Sequence, residues 1–137
     1  MKHVLSLSLP LPPSVNHYWS SCVGRKMMYN KNGKASQRAF VKVFLSDAAL
    51  KFRHEVFRAI APLRLKPISG RVIIDVTHHP KTRAIVDIDN LQKGLHDALT
   101  HAGVWLDDSQ VDKLIVTRGA VVKGGLCKVE IYEMVDL

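Results

Sequence analysis

Acidic residues are scarce in this chain: 12 Asp and Glu stand against 20 Lys and Arg among 137 residues, leaving a net charge of +8. Cysteine is scarcer still. Cys22 and Cys127 lie at opposite ends of the sequence with no C-x-x-C spacing, which argues against a disulfide scaffold and a structural zinc site. Long hydrophobic runs are missing, and none approaches the roughly 18 residues that a membrane-crossing helix needs. The first residues, MKHVLSLSLP, carry Ser at alternate positions, so they read as a strand and not as a signal peptide. A reducing cytoplasm is the expected setting. What is present is ordinary for a folded protein: 47% hydrophobic and 23% charged residues exclude disorder. Residues 1–137 are expected to form one domain.

The few acids are not spread evenly. Residues 1–86 hold 15 basic and 3 acidic side chains, whereas residues 87–112 hold 6 acids and one Lys. A basic body suits a polyanion such as nucleic acid. A dense acidic island repels phosphate unless a divalent cation sits in it and reverses the local field. A metal-dependent nuclease needs both.

The hydrophobic pattern suggests an α/β (α+β) fold in which two main helices pack on a small mixed sheet. Residues 2–9 alternate, with Leu5, Leu7 and Leu9 on one face, and Pro10 ends the strand. Residues 20–35 mix Gly, Asn and the basic residues Arg25, Lys26, Lys31 and Lys34, as in a mobile loop or loose hairpin able to touch DNA. Residues 36–60 recur apolar at spacings of three and four, which predicts the longest helix, capped by Ser36. Residues 70–78 are a β-branched strand and 90–102 a second amphipathic helix, with Gly103 at the left-handed position that follows a helix. Residues 113–122 and 126–134 read as two strands of a hairpin turning at Gly124-Gly125, with Cys127 facing the core. Trp105 reads as a core anchor, and Tyr18 and Trp19 as packing residues.

The acidic island runs DIDNLQKGLHDALTHAGVWLDDSQVD. If residues 87–89 are extended, Asp87 and Asp89 share one face roughly 6.6 Å apart, so their carboxylates can converge on one hard cation or flank two. Mg²⁺ takes oxygen ligands and keeps several waters, so two or three carboxylates suffice. Asp89 also suits the N-cap of the following helix, with Gln92 completing a capping box. Lys93 lies one turn after Asp89, placed either for a surface ion pair with it or to face a scissile phosphate. A third acid could be Asp97, Asp108 or Asp112. The helix over 90–102 is about 19.5 Å long, and residues 103–108 span at most about 21 Å. Asp108 therefore returns to Asp89 only along an almost fully extended path, or a second subunit supplies the third acid.

The string D-x-D-N-L-x-K, then D-A-L, then A-G-x-W-L-D-D-x-Q-V over residues 87–111 resembles the RusA family of Holliday junction resolvases, found in bacteria and their prophages. LPLPPSVNHYW over residues 9–19 resembles that family's strand-ending L-P-x-P-P-S-x-N segment. The resemblance implies a homodimeric, Mg²⁺-dependent (or Mn²⁺-dependent) endonuclease. Such an enzyme nicks two opposed strands of four-way DNA junctions, with no organic cofactor and no membrane. It implies Asp87, Asp89 and Asp108 as metal-binding catalytic acids, Lys93 as the essential lysine and Asp107 as a supporting acid. Family members are often polar or Arg-rich before the first Asp; this chain has Ala84, Ile85 and Val86, which leaves Lys81 and Arg83 as the nearest DNA-gripping candidates. The competing readings are a non-catalytic basic DNA-binding protein and a metal nuclease acting on other branched nucleic acids.

Overall fold

The structure is a computed structural model and describes residues 1–135. Eight elements of regular structure follow in chain order: β1 (Lys2–Leu9), β2 (Trp19–Tyr29), β3 (Ala35–Leu45), α1 (Asp47–Ile60), β4 (Val72–His79), α2 (Gln92–His101), β5 (Val111–Arg118) and β6 (Leu126–Glu133). Four strands form a mixed sheet in the order β1-β6-β4-β5, in which only the β4–β5 pairing is parallel. Two helices cover one of its faces, an α+β arrangement. No helix among the described residues is long and apolar enough to cross a membrane.

The core lies between sheet and helices. Val72, Ile74 and Val76 of β4 and Cys127, Val129 and Ile131 of β6 are wholly buried, and they meet Phe52, Val56 and Ile60 of α1 and Leu95, Ala98 and Leu99 of α2. The strict alternation along β4 is the period-2 signature of a strand buried on one face. Cys127 is a core residue, as expected, and burial raises its thiol pKa to about 12. Gly103 has φ +81°, and its N–H reaches Thr100 O at 3.1 Å, closing α2 as expected.

Three expectations are corrected. The long helix begins at Asp47, not at residue 36. Residues 35–45 are instead β3, paired along its whole length with β2 to form a two-stranded ribbon. Ser46, not Ser36, is the N-cap; its hydroxyl accepts from Ala49 N at 3.1 Å. In the run FVKVF, Phe40, Val43 and Phe44 fit a helix, but Val41 and Val43 flanking Lys42 fit a strand equally well. Pairing across the turn decides it: Asn30 Oδ1 accepts from Asn32 N and Lys34 N, and Gly33 takes φ +75°.

The second correction concerns the last two strands, which are not a hairpin. β6 lies between β1 and β4, and β5 lies on the far side of β4. Residues 119–125 step over the end of β4, tied by Gly119 N to His78 O at 2.9 Å and Val122 N to Pro80 O at 2.9 Å. Gly124 and Gly125 both have positive φ, so the turn signal was real although its strands do not pair. β6 is buried and apolar, so it takes the central place that the exposed β5 cannot fill.

Third, Asp89 does not cap a helix. Residues Ile88–Leu91 form a 3₁₀ turn before α2, and no side chain caps either start. The capping box stands instead at Asp107 and Gln110.

Candidate active site

Asp87 and Asp89 stand at the head of α2. The segment before them is pinned by Arg118, whose Nη2 donates to Val86 O at 2.7 Å. Asp87 is extended (φ −66°, ψ 122°), and the chain then tightens into the 3₁₀ turn that carries Asp89. Ile88 and Leu91 face inward and hold this turn, and both carboxylates are left exposed. The extended geometry expected for the pair thus holds at Asp87 and gives way to a turn at Asp89. Among the described residues, neither carboxylate joins a hydrogen bond or ion pair.

Lys93 sits in the first turn of α2 with its ammonium half-exposed. Its partner is Asp97, at 3.2 Å, and not Asp89. Asp97 in turn accepts a hydrogen bond from the phenol of Tyr18 at 2.5 Å. Tyr18 is almost wholly buried, as expected of a packing residue, whereas Trp19, expected to pack as well, is 51% exposed on the ribbon; burial together with Asp97 raises the Tyr18 pKa to about 12. Tyr18 and Asp97 therefore set where the Lys93 ammonium lies. The exposed pair itself contributes only a few tenths of a kcal/mol to stability.

Asp107 and Asp108 occupy a separate turn. Gln110 is buried and builds this turn: its Oε1 accepts from Leu106 N and Asp107 N, and its Nε2 donates to Ile68 O and Gly70 O, all at 2.8 Å. Hydrogen bonds from Ser109 hold the Asp107 carboxyl below its ordinary pKa. The Asp108 side chain is exposed and unpartnered among the described residues. Together with Arg53, Asp97, Thr100 and His101, the two acids line a shallow cleft of about 280 Å³ beside α2. Trp105 anchors the approach to this turn, 1% exposed, with Nε1 donating to Thr100 Oγ1 at 2.8 Å.

The sequence-derived acids are thus presented in two places. Among the described residues, no three His, Cys, Asp or Glu side chains are grouped so as to hold a metal ion. The donor chemistry itself fits a hard cation, since Asp87, Asp89 and Asp108 all offer carboxylate oxygens with no competing partner. Asp112, the other acid open on spacing, is paired with Arg71.

The ribbon has two unlike faces, because opposed residues of an antiparallel pair project to the same side. Cys22, Lys26 and Met28 share one face with Lys42, Arg38 and Phe40. Val23, Arg25 and Met27 share the other with Val41 and Val43, and Trp19 and Tyr29 lie on it as well. Of the predicted basic residues, Lys26 is on the cationic face, Arg25 is on the apolar one, and Lys31 and Lys34 are at the turn. Lys81 and Arg83 are exposed in the bend before Asp87. Arg38 and Lys42 were missed because residues 36–60 read as helix. Gln110 lay inside the D-D-x-Q-V string, but nothing local showed that it ties together four backbone groups.

His78 closes β4 and is 2% exposed. Gln92 Nε2 donates to its Nε2 at 2.6 Å, and burial lowers its pKa to about 4. Above pH about 6.5 the imidazole is neutral in both folded and unfolded chains. As pH falls from about 6.5 toward 4, the unfolded chain binds a proton that the folded one refuses, so stability falls. The urea midpoint is expected to drop over that window, and to drop less steeply in His78→Leu. Gln110→Ala strands buried amide and carbonyl groups; a loss of about 2–4 kcal/mol in urea unfolding is expected, together with weaker function at Asp107 and Asp108.

Comparison with known proteins gives a consistent result. Residues 10–132 match the family model described as Endodeoxyribonuclease RusA. The crossover junction endodeoxyribonuclease RusA of Enterobacteria phage HK97 is 35% identical over 131 residues, 92% of each chain. That of Escherichia coli K12 is 36% identical over 130 residues, 94% of each chain. That of Enterobacteria phage 82 is 35% identical over 129 residues, 93% of each chain.

Proposed function

The chain belongs to the RusA family of endodeoxyribonucleases, and from that premise we propose that it is a Mg²⁺-dependent enzyme that cuts four-way DNA junctions by paired, symmetric nicks in recombination and repair. The observation that carries this reading is the pair of unpartnered carboxylates, Asp87 and Asp89, at the head of α2 in an otherwise basic chain. Asp87, Asp89 and Asp108 would hold the ion, with Asp107 supporting the turn that presents Asp108. Bound there, Mg²⁺ (or Mn²⁺) supplies Lewis-acid polarisation of the phosphate and a water of lowered pKa. Lys93 offers its ammonium to charge that develops on the phosphate. The pairing with Asp97 keeps that ammonium positioned until DNA approaches. The ribbon's Lys26, Arg38 and Lys42, with Lys31 and Lys34 at its turn and Lys81 and Arg83 beside the acids, grip the backbone without reading sequence. Arg25 belongs to the opposite face of the ribbon and reaches phosphate only at its edge.

The active unit in this reading is a homodimer. A four-way junction is roughly two-fold symmetric, and two opposed nicks need two sites. The apolar ribbon face supports it. Trp19, Val23, Met27, Tyr29, Val41 and Val43 are 47–70% exposed, and a lone two-stranded hairpin is only marginally stable in water. These side chains expose on the order of 700 Å², close to the roughly 800 Å² per partner of a standard interface. In this reading the work is done in the cytoplasm of a bacterial cell, which the bacterial and phage sources of the relatives support.

The test is cleavage of a synthetic four-way junction beside a linear duplex of the same sequence, in Mg²⁺ or EDTA. Paired nicks in the junction alone, lost with EDTA, are expected. Equal nicking of duplex would remove the junction specificity, and tight binding without nicks in any divalent metal would leave a DNA-binding protein only.

A further inference from the structure

A cavity of about 460 Å³ opens beside the acids at the head of α2. Its volume lies within the range of about 300–1,000 Å³ usual for small-ligand sites. Pro10, Leu11 and Pro12 form one wall, and Val86, Ile88 and Leu91 form another. The second wall interleaves with the site: Val86 and Ile88 line the cavity, and Asp87 and Asp89 are the residues directly after each. The cavity and the proposed metal acids therefore share one short chain segment. Lys81 and Arg118 also line the cavity, and nothing acidic does. His78 lies in the same wall, buried. With Nε2 accepting from Gln92, its Nδ1 carries the proton, and that nitrogen has no partner in the protein. A buried donor without an acceptor is costly to retain.

We propose that this cavity receives a single DNA base displaced from its stack at the branch point, next to the phosphate that is cut. The inference rests on the junction-cutting reading above. Two features select a nucleobase. The apolar walls suit the faces of a flat ring. The cationic Lys81 and Arg118 suit the phosphates on either side of the displaced nucleotide. A base at a branch point is already poorly stacked, so extrusion there costs less than within a duplex. The cavity would in this way contribute both junction preference and any preference for the base at the cut.

The experiment uses four-way junctions carrying 2-aminopurine at each of the two nucleotides flanking the cut phosphate, bound in Ca²⁺ and, separately, cleaved in Mg²⁺. Wild type is expected to raise the fluorescence several-fold at one of the two positions. Ala84→Trp, which fills the cavity from an exposed lining position, is expected to remove that rise and to slow cleavage about tenfold. An abasic nucleotide at the same position should slow wild type to a similar degree and slow Ala84→Trp no further. Silent fluorescence on a junction that wild type binds and nicks would overturn the base site and leave the junction reading intact. An equal rise with Ala84→Trp would place the displaced base elsewhere and overturn it as well. A junction that wild type does not cut at all counts against the junction reading itself.

Discussion

Asp89→Asn is expected to lower junction cleavage by at least about a thousandfold, or about 4 kcal/mol of transition-state stabilisation, while junction binding holds or tightens. The reason is electrostatic. An Asn retains the shape of the side chain but loses the charge that a divalent cation requires, and it removes a repulsion against phosphate. Because the Asp89 side chain is exposed and joins no hydrogen bond among the described residues, the fold should be unaffected, and an unchanged urea midpoint would confirm that the loss is chemical. Gel assays of binding in EDTA and of nicking in Mg²⁺ separate the two effects. Cleavage within a factor of ten of wild type would remove Asp89 from the metal set. Mixed subunits extend the test. Asp108 stands in a different turn from Asp87 and Asp89, and no three-residue metal group forms within one chain among the described residues. Mixing Asp89→Asn with Asp108→Asn chains is therefore expected to restore nicking at one site per dimer. That result follows if each site draws Asp108 from across the dimer, and no recovery follows if each chain completes its own set.

Charging the apolar face of the ribbon is the second large effect expected. Val41→Lys with Val43→Lys places two ammonium groups where the proposed second copy packs. Desolvating them should weaken self-association by at least about a hundredfold, close to 3 kcal/mol. Light scattering on a size-exclusion column should read a monomer at concentrations where wild type is a dimer. Nicking should fall with it, because a monomer lacks the Asp108 that each site is expected to draw from across the dimer. The opposite face is the control: Lys42→Ala and Arg38→Ala should weaken DNA binding and lower its salt dependence without changing mass. A double variant that stays dimeric would move the interface elsewhere, and the exposed Leu114 and Ile115 of the edge strand β5 would be the next surface to test.

Much of this was legible in the residues. The charge asymmetry, the D-x-D pair, Lys93 and the D-D-x-Q turn are local facts, and so are β1, β4 and α2, because each of those segments has one clear period. The ribbon was not legible, since FVKVF satisfies two periods at once and only pairing with β2 resolves them. The place of β6 was not legible either. Two strands joined by a Gly-Gly turn read as neighbours, and only burial of Cys127, Val129 and Ile131 against both β1 and β4 separates them from β5. By itself, then, the sequence determined the chemistry available: which carboxylates, which cations, and a basic body to carry them. The tertiary structure decided what distances between chain segments decide. It seated Asp108 beside Asp97 in a cleft that neither Asp87 nor Asp89 lines, gave Lys93 to Asp97, and sorted the ribbon into a cationic and an apolar face. Those outcomes depend on contacts between residues far apart in the chain, and local spacing carries no information about them.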